Sequence, residues 1–154
     1  IREVVSLIYG SSHVANFSLG DFIDYDNGNK NSLAGLSKAR VNWASESTKT
    51  TRIDNSLSLK KFATGDSLTE RYLFKDGYEY SPNAIALFNL NELPNLLATG
   101  QAALDRFAPL IFDKTFVKKE DNDPSSNPNQ ELADPRFKYD REFLINEVCP
   151  AFLN

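Results

Sequence analysis

Short β-prone runs alternate with stretches of helical spacing along this chain, and that alternation limits the fold more than any single residue does. Ile1, Val4, Val5 and Ile8 recur at helical spacing before Gly10. Residues 14–17 read as a short strand, and Ser18 as the cap of a helix through Ile23. "ARVNWASE" reads as a strand over 39–45 that ends in Glu46. "SLSLKKFATGD" predicts a short helix with Leu59, Phe62 and Ala63 on one face and Gly65 closing it. Further strands are expected over 84–88 and 108–112. Strands interleaved with helices predict an α/β sheet.

A hairpin interrupts this pattern. Asp76-Gly77 stands between two β-prone runs, 72–75 and 78–80, where Asp-Gly favours a two-residue type I′ turn. Three segments follow from the whole pass: a core over 1–117, a mobile polar loop over 118–136 ("KKEDNDPSSNPNQELADP"), and the start of a helical segment over 137–154. The chain opens in what reads as mid-helix and has no methionine, so a piece of a longer protein is the expectation.

Composition narrows the function classes. The 154 residues are 41% hydrophobic and 25% charged, as in an ordinary globular domain. No apolar run approaches the roughly 20 residues that span a bilayer, so no membrane partner is expected. One cysteine, Cys149, has no second thiol to pair with, which points to a reducing compartment such as the cytoplasm. The net charge of −4 carries no global nucleic-acid signature, so any such site is a local patch. His13 has no acid or cysteine beside it, and no Ser/His/Asp or Cys/His grouping stands out.

Several residues can carry chemistry, each with a plainer alternative. Glu46 follows a strand at the end where α/β sheets place ligands, and there it can hold Mg²⁺ or activate a water; the alternative is a solvated strand-end acid. Asn89 and Asn91 follow the next strand, where an amide can orient a phosphate or a water; the alternative is turn chemistry before Pro94. Arg106 precedes a strand and can reach a phosphate on a partner subunit, or lie on the surface. Lys60, Lys61, Arg71 and Lys75 concentrate positive charge around the helix and hairpin, with Tyr72, Phe74, Tyr78 and Tyr80 on its arms. That mixture suits a phosphate backbone or bases, and suits a solvated edge equally.

The order of these signals is more informative than any one of them. "RVNWASE", then "LKKFATGDSLTERYLFKDGYEYSP", then "FNLNELP", then "DRFAPLIFDKTF" resembles the superfamily 3 helicase domain of the phage, plasmid and poxvirus-type primase–helicases. The resemblance covers residues 1–116, with a weaker match from Asp134 onward. It implies an AAA+ P-loop ATPase-like sheet with an inserted β-hairpin. Glu46 matches the Walker B glutamate, Asn91 the sensor asparagine and Arg106 the arginine finger. Ser45 and Asn89 neighbour the nucleotide, and Lys60, Gly65, Asp66, Arg71 and Lys75 match the family's characteristic segment. The implied cofactors are ATP and Mg²⁺, the implied partner is single- or double-stranded DNA, and the implied assembly is a homo-hexameric ring within a replicative helicase.

Two departures qualify the resemblance. The sequence contains no G-x-x-x-x-G-K-[ST] phosphate loop, and the family's first strand and loop lie upstream of the helix matching residues 1–9. Ser45 stands where many Walker B strands carry a second acid. The expectation is therefore a helicase piece that does not hydrolyse ATP alone. The alternatives are a non-hydrolysing nucleic-acid-binding remnant of the same fold, and a plain interaction domain.

Overall fold

The computed structural model describes residues 1–45, 56–90, 105, 107–123, 125 and 127–153. They divide into two compact units, Ile1–Phe107 and Ala108–Asn154.

The first unit is mixed α/β, built on a small parallel sheet. Its strands β1 (Val14–Ala15), β2 (Val41–Ser45) and β5 (Ile85–Asn89) lie in the order β1-β2-β5, all parallel. Between β2 and β5 in sequence come β3 (Leu68–Glu70) and β4 (Tyr78–Tyr80), an antiparallel pair outside that sheet. Among the described residues, the helices α1 (Arg2–Tyr9), α2 (Leu19–Asp26) and α3 (Leu57–Thr64) accompany them. Register pairs Asn42 with Ala86 and Ala44 with Phe88, so these four share one face of the pleated sheet. On that face lies the core: Phe22 and Tyr25 of α2, Leu59 and Phe62 of α3, Leu33, Leu36 and Leu68, with Ala86 and Phe88 packed against them. The Phe22 ring meets Phe62 and Phe88 edge-on, at 5.7 and 6.3 Å between centroids.

Polar side chains fix how these pieces join. β1 ends after two residues, short of the expected 14–17, because Asn42 takes over from the ladder. Its Oδ1 accepts the Phe17 N–H at 2.7 Å and its Nδ2 donates to the Phe17 carbonyl at 2.9 Å. Asn42 is fully buried, so this amide pair substitutes for two backbone bonds. The chain then turns at Ser18, whose hydroxyl and Asp21 form a reciprocal capping box at the start of α2. At the other end of α2, Asp26 accepts from the Ser56 hydroxyl (2.9 Å) and the Ser58 N–H (3.0 Å), closing the start of α3. α3 stops in a Schellman motif. Gly65, at φ 74°, donates to the Phe62 carbonyl, and Asp66 donates to that of Lys61.

The second unit departs from the sequence expectation. No strand forms over 108–112, where Pro109 lacks a donor and Leu110, Ile111 and Phe112 are largely exposed. Instead β6 (Thr115–Val117) pairs in parallel with β7 (Gln130–Leu132). β7 lies inside the stretch 118–136 that composition marks as a polar loop. "QEL" has no apolar alternation; it joins the ladder through its backbone, with Glu131 paired to Lys114 at 3.2 Å beside it. α4 (Arg136–Tyr139) and α5 (Arg141–Phe143) follow, then a wide π-type turn over Leu144–Val148 and α6 (Cys149–Leu153). Pro150 has no N–H to give and crowds the carbonyl four residues back, a sufficient cause for the widened turn before it. Leu144 and Cys149 are its buried residues.

Replacing Asn42 with Ala strands the N–H and carbonyl of Phe17. We expect a loss of about 2–4 kcal/mol in urea unfolding, from two partly buried groups left unpaired. A loss under about 0.5 kcal/mol, ordinary for a surface position, would contradict this role.

Candidate nucleic-acid interface

A buried carboxylate ties the hairpin to the rest of the unit. Glu70, the last residue of β3, is fully buried. Its Oε1 accepts the Gly35 N–H at 2.7 Å and its Oε2 the Ser37 N–H at 3.1 Å. Gly35 stands at φ 101°, a left-handed conformation that lets these two N–H groups converge on one anion. The Tyr72 and Ser37 hydroxyls also bond the carboxylate. Burial pushes the Glu70 carboxyl up, but its four hydrogen bonds outweigh that and hold it below its ordinary value. The Tyr72 phenol is correspondingly pushed up to about 12, first by its bond to Glu70 and then by burial and the Glu70 charge. Further ties join the same parts. Ser37 Oγ meets Tyr78 Oη at 3.0 Å, the Lys38 ammonium lies 5.9 Å from the Tyr72 ring centre, and the Thr69 N–H donates to Tyr25 Oη at 2.8 Å.

Beyond this mount the loop projects. The Asp76-Gly77 turn expected from sequence does not form, and 72–75 is not a strand arm; Leu68–Glu70 pairs with β4 instead. Glu70, held by partners 33 and 35 residues away, keeps 68–70 rather than 72–75 in the ladder. Gly77 passes so close to β3 that a Cβ there would lie 3.2 Å from Thr69 Cγ2, so its missing side chain serves packing rather than a turn. The reversal falls earlier, where the Lys75 N–H bonds the Tyr72 carbonyl at 3.1 Å. Phe74 sits in that turn at φ 62° and is 100% exposed, beside Leu73 at 69%. Left-handed backbone at a phenylalanine costs on the order of 1 kcal/mol, and an aromatic ring wholly in water gains nothing from burial. Arg71 and Lys75 flank it, both exposed.

Lys60 and Lys61 lie on α3, the helix that leads into β3, and not on the projecting loop. Ser45 and Asn89 are register partners at the ends of β2 and β5, both exposed, so their side chains emerge at one end of the sheet. Glu46, Asn91 and Arg106 lie outside the described residues. Among the described residues no three His, Cys, Asp or Glu side chains gather as a metal site. Ser45 and Asn89 offer a hydroxyl and an amide, neutral donors that do not by themselves suit Mg²⁺, which favours carboxylate ligands. No helix among the described residues is long and apolar enough to cross a membrane.

Sequence reasoning missed Glu70, Lys38, Arg40 and the exposure of Phe74. A strand-end glutamate gives no sign that it will be buried. Lys38 and Arg40 stand just before β2, and the residues that lead into its parallel neighbours collect at the same edge of the sheet.

No family model matches the chain, and no curated protein matches it.

Because the Glu70 carboxyl is held below 4.5, its ordinary value, its contribution to stability is complete above that pH and is lost as pH falls through its folded value. Glu70→Gln, which puts an NH₂ where N–H donors need an acceptor, is expected to cost about 2–3 kcal/mol at neutral pH. The gap from wild type should narrow as pH drops below 4.5. A pH-independent gap in thermal or urea unfolding would show that the charge is not what matters.

Proposed function

We propose that this chain is the nucleic-acid-engaging part of a superfamily 3-type helicase domain, acting within a larger, ring-forming protein that hydrolyses ATP. The observation that carries this reading is the parallel register of β2 and β5, which puts Ser45 beside Asn89. The two stretches that resemble a Walker B strand and a sensor strand are thus neighbours, ending at the same level. A motor of this class needs that adjacency, because a catalytic acid and a sensor amide must reach one phosphate. The projecting hairpin lies between these strands in sequence, as the resemblance implies.

On this reading the hairpin grips DNA. Lys75 and Arg71 contact the phosphate backbone by charge, without sequence preference, and Phe74 offers an exposed face on which an unpaired base can stack. Stacking makes the ligand single-stranded, because bases inside a duplex have no free faces. Glu70 and its partners give the loop a rigid base, so movement of the segment before β2 is transmitted to the tip. ATP and Mg²⁺ would be held by a phosphate loop that the sequence does not contain, together with Glu46, Asn91 and Arg106.

The runner-up is a remnant of the same fold that binds nucleic acid and has no hydrolytic role; a longer protein that also lacks a phosphate loop would favour it. A longer protein with metal-dependent ATPase that Glu46→Gln abolishes supports the motor; one without it supports the remnant.

The 154-residue chain is expected to bind a single-stranded oligonucleotide by fluorescence anisotropy and to show no metal-dependent ATP hydrolysis. Phe74→Ala should weaken binding by about 1–3 kcal/mol, roughly 5- to 150-fold, the usual worth of one stacked base. Lys75→Glu should weaken it more at low salt than at high. Equal binding by wild type and both variants would sink the hairpin assignment.

A further inference from the structure

A second cationic feature lies at the opposite end of the sheet from Ser45 and Asn89. There Ser12, His13, Ser37, Lys38, Arg40 and Asn83 line an open cleft of about 540 Å³. Its position follows from the topology. His13 directly precedes β1, Lys38 and Arg40 precede β2, and Asn83 precedes β5, so three parallel strands deliver their leading residues to one edge. The backbone ladder extends there through Arg40, whose N–H donates to the His13 carbonyl at 2.8 Å and whose carbonyl accepts from Ile85 at 3.0 Å. The cleft floor is therefore held by strand hydrogen bonds.

The side chains are suited to an anion. Among the described residues no carboxylate lines the cleft. Among the described residues neither Lys38 nor Arg40 forms an ion pair, in a chain whose net charge is −4. Glu70 is hydrogen-bonded to this same segment, but its oxygens are occupied by the Gly35 and Ser37 N–H groups and two hydroxyls. The His13 ring is oriented by its Nδ1, 3.1 Å from the Tyr9 carbonyl, leaving Nε2 as its other polar atom. The Ser12 hydroxyl and the Asn83 amide add neutral donors around the cations. An arginine fork, an ammonium, a hydroxyl and an amide match the dispersed oxygens of a phosphate.

We propose that this cleft is a phosphate-binding site, and that its ligand is a phosphodiester of the nucleic-acid strand that the hairpin holds. The strand assignment rests on the function proposed above; the anion site does not. Continuity argues for the strand. Ser37 and Lys38, which line the cleft, also touch Tyr78 and Tyr72 at the hairpin's root. Basic groups thus run from Lys75 and Arg71 through Lys38 to Arg40 and His13, and one strand can follow them.

The test uses the whole 154-residue chain and the double variant Lys38→Ala/Arg40→Ala, with Arg40→Lys as the charge-keeping control. Both sites are exposed, and urea unfolding checks that the fold is kept. One probe is inorganic pyrophosphate, followed by amide NMR shifts; the other is a 12-nucleotide single strand, followed by anisotropy across a salt series. We expect pyrophosphate to shift the amides of Ser12, His13 and Ser37–Arg40 in wild type, and not in the double variant. We expect the variant to bind the strand about tenfold more weakly. Its log–log salt slope should be shallower by about 1.4, two contacts at about 0.7 each for a single strand. Arg40→Lys should lie near wild type. Pyrophosphate binding with an unchanged salt slope would overturn the strand and assign the cleft to a free phosphate compound. No pyrophosphate shift and no change in slope would overturn the site itself. Pyrophosphate binding in a chain that binds no oligonucleotide would overturn the nucleic-acid reading and the strand with it, while leaving the anion site standing.

Discussion

The buried carboxylate of Glu70 is the contact on which the arrangement of this chain depends. Removing a charge from water costs several kcal/mol, and a carboxylate without partners would not stay ionised there. Here two backbone N–H groups and two hydroxyls replace the lost water. The bond set spans 35 residues of sequence, joining the end of β3 to the turn at Gly35. That turn needs the left-handed backbone glycine supplies. The hairpin, the segment 35–40 and the start of β2 thus form one connected piece. A flexible loop would give a ligand little purchase, because ordering it would consume much of the binding energy; this loop is already fixed at its root.

The same piece connects two surfaces. On one side it carries the hairpin with its strained, wholly exposed Phe74. On the other, Ser37, Lys38 and Arg40 line the cationic cleft. Strained backbone and uncovered apolar area both oppose stability, and they persist where the surroundings over-determine them. The ring at the tip is best understood as kept for something outside the molecule. The "GD" of the resemblance has a separate and purely local account. Gly65 ends α3 in a left-handed conformation, while Asp66 supplies the next N–H and accepts from Thr64 at 2.6 Å. Such residues recur in unrelated helix ends, so this part of the pattern says more about folding than about chemistry.

Local signals in the sequence were reliable where the physics is local. The Ser18 cap, the Gly65 stop and the strand cores at Val41 and Ile85 are set by residues within one turn of themselves, and each was legible. The hairpin was legible as an event but not in its pairing. Asp76-Gly77 carries a strong turn preference, yet Glu70 fixes which residues of the first arm enter the ladder, and its partners lie 33 and 35 residues away. β7 was hidden for the opposite reason, since a polar strand leaves no hydrophobic period to detect. The run 108–112 was apolar enough to suggest a strand, but a strand also needs an edge to pair with. At the proposed nucleotide end only Ser45 and Asn89 are on view, and Glu46, Asn91 and Arg106 are carried by motif order alone.

The account makes the hairpin tip and the cationic cleft a single nucleic-acid face. Hydrogen–deuterium exchange of the 154-residue chain, with and without a single-stranded oligonucleotide at saturating concentration and low salt, tests this most directly. The account predicts added protection at the amides of 71–78 together with those of 11–13 and 37–40, and none at the ends of β2 and β5. Protection confined to the strand ends, or the same exchange pattern with and without the oligonucleotide, would contradict it.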